Sequence, residues 1–317
     1  MTAQGFRHEA LFYSGEDSFL AGTLPFIREA VEEDEPVMVA VGPRKIDLLK
    51  SRLNGAGDRV IFADMHAIGR NPATIIPAWQ EFVAEHARDG GRLRGIGEPI
   101  WPERTAEELV ECEHHESLLN LAFDGDPAWR LLCPYDASAL GPRVLTGAEH
   151  NHPLIAERGG LRPSPEYRGP EITGAPFEGP LPEPPATSGE LAFDSPGDLE
   201  GARRFVADRA AAAGIERDRA DGLVLAVDEI VTNTLRHTDA GGRLRVWVDD
   251  EAVVCEVADS GRIGDPLVGR VRPPLDQATG RGLWIANHFC DLVQIRSSSA
   301  GTVVRCRLNR TTLPAAA

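Results

Sequence analysis

Glu229 and Asn233 stand four residues apart in "DEIVTNTLRH", residues 228–237, so on a helix they project from one side. A carboxylate so placed can take a proton from a hydroxyl or from water, and an amide oxygen beside it can hold a hard cation such as Mg²⁺. The same spacing also describes an ordinary solvated helix face. Further along, "ADSG" sets Asp259, Ser260 and Gly261 at the end of the apolar run "AVVCEV". That aspartate can accept a hydrogen bond from an exocyclic amine, and the glycine lets a flat ring approach the backbone; a plain turn is the alternative. "GRGLWIANHF" then places Gly280 and Gly282 just before a helix-like run. Open N–H groups and the helix dipole favour phosphate there, although a flexible loop reads equally well. The chain has no GxxxxGK[ST] phosphate loop.

The elements around these residues decide whether they can meet. Leu223, Val227, Ile230 and Thr234 follow helical spacing, with Leu225 and Val231 broadening the stripe, and place "ERDRADGLVLAVDEIVTNTLRHT" on a helix. A second helix, "SPGDLEGARRFVADRAAAAG", precedes it, and "GRLRVWVDD" and "AVVCEVADSG" come after it as alternating strands across a short acidic turn. A helix over "LWIANHFCDLV" and strands at "QIRSSS" and "TVVRCRLN" complete the half. Two long helices beside antiparallel strands predict a two-layer α/β sandwich.

The first half alternates differently. "HEALFY", "PVMVAVG", "RVIFADM", "LRGIGEPI" and "WRLLCPYD" read as strands, each separated from the next by an amphipathic helical run. Strands apolar throughout imply a mainly parallel sheet covered on both faces, a three-layer α/β/α domain. Between the halves, residues 159–188 are dense in Pro and Gly without an apolar period and read as a linker. The expected divisions are 1–158, the linker, 189–310, and a tail at 311–317. In "ECEHHESLLN", Glu111, His114 and His115 lie close together, but adjacent histidines on a helix point about 100° apart. A solvated or partner-facing helix is expected there, and a loop or helix end for His150 and His152.

With 42% hydrophobic and 26% charged residues, the composition is that of a folded globular chain. The net charge of −16 disfavours direct nucleic-acid or anionic-membrane binding. No apolar run is long enough for a transmembrane helix and no basic-then-apolar leader opens the chain, so a cytoplasmic protein is expected. The five cysteines, Cys112, Cys133, Cys255, Cys290 and Cys306, are scattered in apolar surroundings and read as buried thiols.

"DEIVTN", "DSGRIG", "GRGL" and the late "GTVV", in that order, resemble the N box, G1 box, G2 box and last-strand motif of the GHKL (Bergerat-fold) ATPases, nearest to RsbW-like and SpoIIAB-like anti-sigma serine kinases. The resemblance implies ATP and Mg²⁺ as cofactors. It implies that Glu229 is the general base, that Asn233 holds Mg²⁺, and that Asp259 reads adenine with Gly261 beside it, while Gly264 stands where the G1 box has its next cofactor-binding glycine. Gly280, Arg281, Gly282 and Leu283 would face the phosphates, and Thr302 the adenine. Partners implied are a sigma factor or a STAS-type anti-sigma antagonist, with homodimerisation through the ATPase half and a place in transcription regulation and stress response. Two other readings remain: a non-catalytic nucleotide switch, and a sensor histidine kinase, which would need a phosphoaccepting histidine on a helical hairpin before Leu191.

The first half, through "HEALFYSGEDSFLAGTLPFIREAVEEDEPVMVAV", "GEPIW", "ECEHHESLLNLAF", "LLCPYD" and "HNHPLI", resembles the MEDS sensory domain. That implies a RecA- or KaiC-like sheet without the phosphate loop, binding a small ligand or a partner. The polar motif positions are His8, Tyr13, Glu98, Glu116, Asn120, Tyr135 and His152.

Overall fold

The computed structural model describes residues 5–87, 91–124, 128–157, 160–169, 179–273 and 280–310. The chain divides into two compact units, Met1–Gly174 and Ala175–Ala317.

Unit 1 runs β1 (Arg7–Tyr13), α1 (Gly15–Glu32), β2 (Val37–Val41), α2 (Pro43–Leu53), β3 (Val60–Asp64), α3 (Met65–Ile68), α4 (Ile75–His86), β4 (Leu93–Gly97), α5 (Ala106–Ala122), β5 (Trp129–Asp136), α6 (Pro142–Asn151), β6 (Leu154–Glu157) and β7 (Gly160–Pro163). The sheet order is β3-β2-β4-β5-β1-β6-β7. Its first six strands pair in parallel, and β7 closes it antiparallel to β6. Strands such as β2, buried at every position, need cover on both faces. They have it: Ile96 of β4 packs with Phe19, Ile27 and Leu49 of α1 and α2. Its neighbours Gly95 and Gly97 turn the other way, each leaving room for the Trp79 ring of α4. This is the expected three-layer arrangement.

Two expectations need correction here. Residues 160–163, read as linker, pair as β7, and Ser164 and Arg168 bond back to Pro153 and His150. Proline is tolerated at such an edge, where its missing N–H breaks no inner ladder. Helix α5 is not a solvated helix: Glu111, Cys112, His115, Glu116 and Ser117 are buried, and Glu116 meets polar groups of β1 and of the residue after α6. An inward polar face defeats a reading that takes polar for wet.

Unit 2 runs β8 (Gly189–Phe193), α7 (Leu199–Ala212), α8 (Arg217–His237), β9 (Gly242–Val248), β10 (Ala252–Asp259), α9 (Gly282–Phe289), β11 (Leu292–Ser298) and β12 (Gly301–Asn309). Its sheet, ordered β11-β12-β10-β9-β8, is antiparallel throughout. The helices cover one face, where Val206, Val227, Ile230 and Ala286 pack on Leu244, Val257 and Val304. Strand β8 was not anticipated. Helix α9 is shorter than expected, because Cys290 is extended (φ −102°, ψ 147°) and Leu292 and Val293 enter β11. On the far face, Arg305 stacks over Trp247, pairs with Glu256 and donates to the Pro182 carbonyl at 2.6 Å. Residues 170–178 of the expected linker and the expected tail 311–317 lie outside the described residues. No described helix is long and apolar enough to cross a membrane.

Candidate functional site

In unit 2 a cavity of about 420 Å³ between α8, the end of β10 and the start of α9 is lined by Asn233, Asp259, Gly261, Gly280, Leu283 and Thr302 among others, while Glu229, Arg281 and Gly282 are not among its lining residues. That volume suits a small-molecule ligand. Ile230, Ile263, Val268, Leu283 and Val304 supply apolar wall, while Asn233, Asp259, Gly261, Gly280 and Thr302 line it with polar groups.

Asp259 ends β10, and its carboxylate is held from two directions. Thr234 Oγ donates to Oδ2 at 2.6 Å, and the Gly261 N–H donates to Oδ1 at 2.7 Å. Each oxygen keeps a further lone pair for a ligand N–H. Thr302 Oγ donates to the Gly261 carbonyl at 2.9 Å and lies 2.8 Å from Ser297 Oγ, which accepts from the Ile263 N–H. The loop after β10 is thereby tied to β11 and β12. Gly264, which the resemblance matched to the next glycine of the G1 box, is exposed and does not line the cavity.

Glu229 and Asn233 are half-buried on the face of α8 turned to α9. Gly280 takes φ +84°, a left-handed conformation in the turn before α9 that glycine adopts without strain. At Gly282 a Cβ would come within 2.5 Å of Asn233 Nδ2 and 3.2 Å of Glu229 Oε2. The helix start therefore meets both side chains. Arg281 is half-buried and Leu283 buried. Residues 274–279, in the proline-rich stretch before Gly280 where the family lid is expected, lie outside the described residues.

The seven polar positions of unit 1 fall into two groups. Tyr13 donates to Glu98 at 2.7 Å, and Lys45, not singled out from sequence, bonds both Glu98 oxygens at 2.6 and 2.7 Å. Burial pushes the Glu98 carboxyl and the Tyr13 hydroxyl above their usual ranges. The other five gather on the opposite side of β1. Glu116 Oε2 lies 3.1 Å from His8 Nε2 and 3.2 Å from His152 Nε2, Asn120 Oδ1 lies 3.2 Å from His8 Nδ1, and the Tyr135 ring packs edge-on against His152. Burial, with His152 beside it, pushes His8 down to about 4. Cys133, read from sequence as a core thiol, lies 3.4 Å from His8 Nε2. The strand alternation that puts Cys133 and Tyr135 on one face was the available signal.

A parallel-sheet unit and a separate antiparallel sandwich with a cavity at its helix layer define a two-domain α/β protein. Residues 7–153 match the family described as MEDS, the methanogen/methylotroph DcmR sensory domain, and residues 194–308 match the histidine kinase-like ATPase domain. The chain thus joins a MEDS domain to a member of the histidine kinase-like ATPase domain family. Among solved structures, the RsbU and RsbW domains of Rv1364c from Mycobacterium tuberculosis are 18% identical, covering 40% of this chain and 34% of that one, with a TM-score of 0.31. This chain therefore spans about a third of that protein. The Acinetobacter baumannii histidine kinase AdeS is 13% identical, covering 39% of this chain and 68% of that one, with a TM-score of 0.24. No curated protein matches the chain.

Proposed function

We propose that residues 189–310 bind Mg-ATP in the unit 2 cavity and act as an RsbW-like serine kinase on a STAS-type partner or bind a sigma factor, under control of the MEDS domain, residues 1–158 together with the edge strand β7. The observation that carries the reading is the Asp259 carboxylate, fixed by Thr234 and Gly261 at the cavity floor while Gly282 brings α9 against Glu229 and Asn233. The cavity suits an adenine nucleotide: an acceptor with free lone pairs, apolar walls and the Asn233 amide line it, and the start of α9 and the Glu229 carboxylate lie beside Asn233.

Bound Mg-ATP would supply the phosphoryl group. Asp259 accepts from the adenine amine, and Thr302 keeps the Gly261 backbone in place beside the ring. Asn233 would hold the cation through its amide oxygen, and the N–H groups at the start of α9 would bind the phosphates. Glu229 takes the proton of the attacking serine hydroxyl, which is the one proton-transfer role that phosphoryl transfer asks of a side chain.

Two variants test the assignment together. Asn233→Ala should abolish Mg-dependent ATP binding measured by calorimetry, and undiminished affinity would remove the cation role. Glu229→Ala should retain ATP binding but lower phosphorylation of a captured STAS partner by about 10²-fold or more, the scale of a general base. An unchanged phosphorylation rate would leave nucleotide-dependent partner binding without catalysis.

A further inference from the structure

We propose that unit 1 holds one divalent transition-metal ion of the zinc class, ligated by His8 Nε2, Glu116 Oε2, Cys133 Sγ and His152 Nε2. The four residues come from β1, α5, β5 and the position just after α6, and all are buried to within 1%. Their ligand atoms lie within 4.8 Å of one another. The closest approaches, 3.1 Å from His8 to Glu116, 3.2 Å from His152 to Glu116 and 3.4 Å from Cys133 to His8, lie near the edges of a tetrahedron around a metal ion, the first two slightly short of them. With metal–ligand bonds of about 2.0–2.3 Å those edges are roughly 3.3–3.8 Å.

Proton positions make the case stronger than distance alone. His152 Nδ1 faces the Ala148 carbonyl at 2.8 Å, an atom that only accepts, so Nδ1 carries the hydrogen. Asn120 donates its amide to the Asn151 carbonyl at 2.8 Å, which turns its oxygen toward His8 Nδ1. Both rings are thus held in the tautomer that sends an Nε2 lone pair inward, with a second hydrogen bond behind each ring as metal-binding histidines have. Without a cation, the His152 Nε2 lone pair faces a carboxylate oxygen that also has only lone pairs to offer, and His8 Nε2 has the weak Cys133 S–H donor at 3.4 Å. His152 Nε2, although 3.2 Å from Glu116, makes no directed hydrogen bond, and Glu116 Oε1 has no partner. Leaving such atoms buried and unsatisfied is costly.

A divalent ion resolves this and balances charge. The Glu116 carboxylate and a Cys133 thiolate together neutralise it, so no net charge is buried. Two imidazoles, one thiolate and one carboxylate are a soft-to-borderline set that suits zinc, cobalt(II) or iron(II) and not calcium or magnesium. Because the ligands tie β1, β5, α5 and α6 together, occupancy would fix how the two helices lie on the sheet. Beside the site lies a small cavity lined by Glu116 and Tyr135 with Ile100, Leu109 and Val144.

The test uses the full chain, stripped with a chelator and titrated with Co²⁺ alone. One Co²⁺ per chain is expected, with intense visible bands of tetrahedral cobalt and a near-ultraviolet thiolate charge-transfer band, both displaced by Zn²⁺. Cys133→Ser should lose the charge-transfer band and Cys112→Ser should keep it. Asn120→Ala, which removes the acceptor behind His8, should weaken Co²⁺ by about 10–100-fold while leaving the band. Failure of the folded wild-type chain, checked by circular dichroism, to bind stoichiometric Co²⁺ or Zn²⁺ overturns the proposal, as does a charge-transfer band that survives in Cys133→Ser.

Discussion

Gly282 has no room for a side chain, and the atom a Cβ would strike is the amide nitrogen of Asn233, 2.5 Å away. It is the first residue of α9, where the helical preference for alanine over glycine is at most the value of a helix interior, about 1 kcal/mol, and the struck atom is the end of a flexible side chain. Gly282→Ala should therefore leave the melting temperature unchanged or slightly raised while pushing Asn233 out of place. We expect Mg-dependent ATP affinity by calorimetry to fall by about tenfold, which is about 1.4 kcal/mol. A variant that binds as tightly as the parent would show that the contact between α8 and α9 does not set the cation ligand. At this scale part of the cavity was legible in the sequence, because Asp259, Gly261, Gly280 and Thr302 fall in motifs whose order, more than any one residue type, carries the resemblance. Thr234 and Ser297 were not legible as site residues. Thr234 sits in the apolar stripe of α8, and only the fold shows that its hydroxyl reaches Asp259. Cys133 was hidden for the same reason, set among leucines that mark a core strand.

Elements are legible where the apolar period is clean and obscure where polar groups turn inward. Helix α5 shows the failure: its buried side carries Glu111, His115 and Glu116, so hydrophobic periodicity assigns that side to solvent. Its start is nonetheless written in the chain. Thr105 accepts from the Glu108 N–H at 3.2 Å, and Glu108 accepts in return from the Thr105 N–H at 2.8 Å, a reciprocal cap that satisfies two otherwise open donors. Since α5 carries Glu116 and Asn120, its stability is that of the whole polar cluster. Thr105→Ala should cost about 1 kcal/mol and lower the melting temperature of unit 1 by about 2–4 °C, read by circular dichroism. No shift would mean that packing alone holds the helix start. The end of α9 departs from expectation for another reason: "CDLV" is apolar enough to extend a helix, but Asp291 accepts from Arg219 at 2.6 Å and from the Asn309 N–H at 2.7 Å. Contacts distant in sequence decide that end.

For the whole chain, two sheets with separate cores make each unit a candidate to fold by itself, and the question is where the first one stops. Composition places the stop near residue 158, since proline and glycine dominate residues 159–188. Composition cannot register an edge strand, which needs few apolar residues and tolerates proline at its end. Past residue 158, β7 pairs with β6, Ser164 donates to the Pro153 and Glu149 carbonyls at 3.0 and 2.8 Å, and the Arg168 N–H donates to the His150 carbonyl at 3.1 Å. These contacts close over the segment that holds His152. At about 1 kcal/mol net for each hydrogen bond, with part of the gain offset by ordering the strand, they should stabilise unit 1 by about 2–4 kcal/mol. A polypeptide of residues 1–169 should therefore resist urea to a higher midpoint than one ending at residue 157, with both showing a single transition. Equal midpoints would place the end of the domain before β7 and make the pairing incidental to its stability.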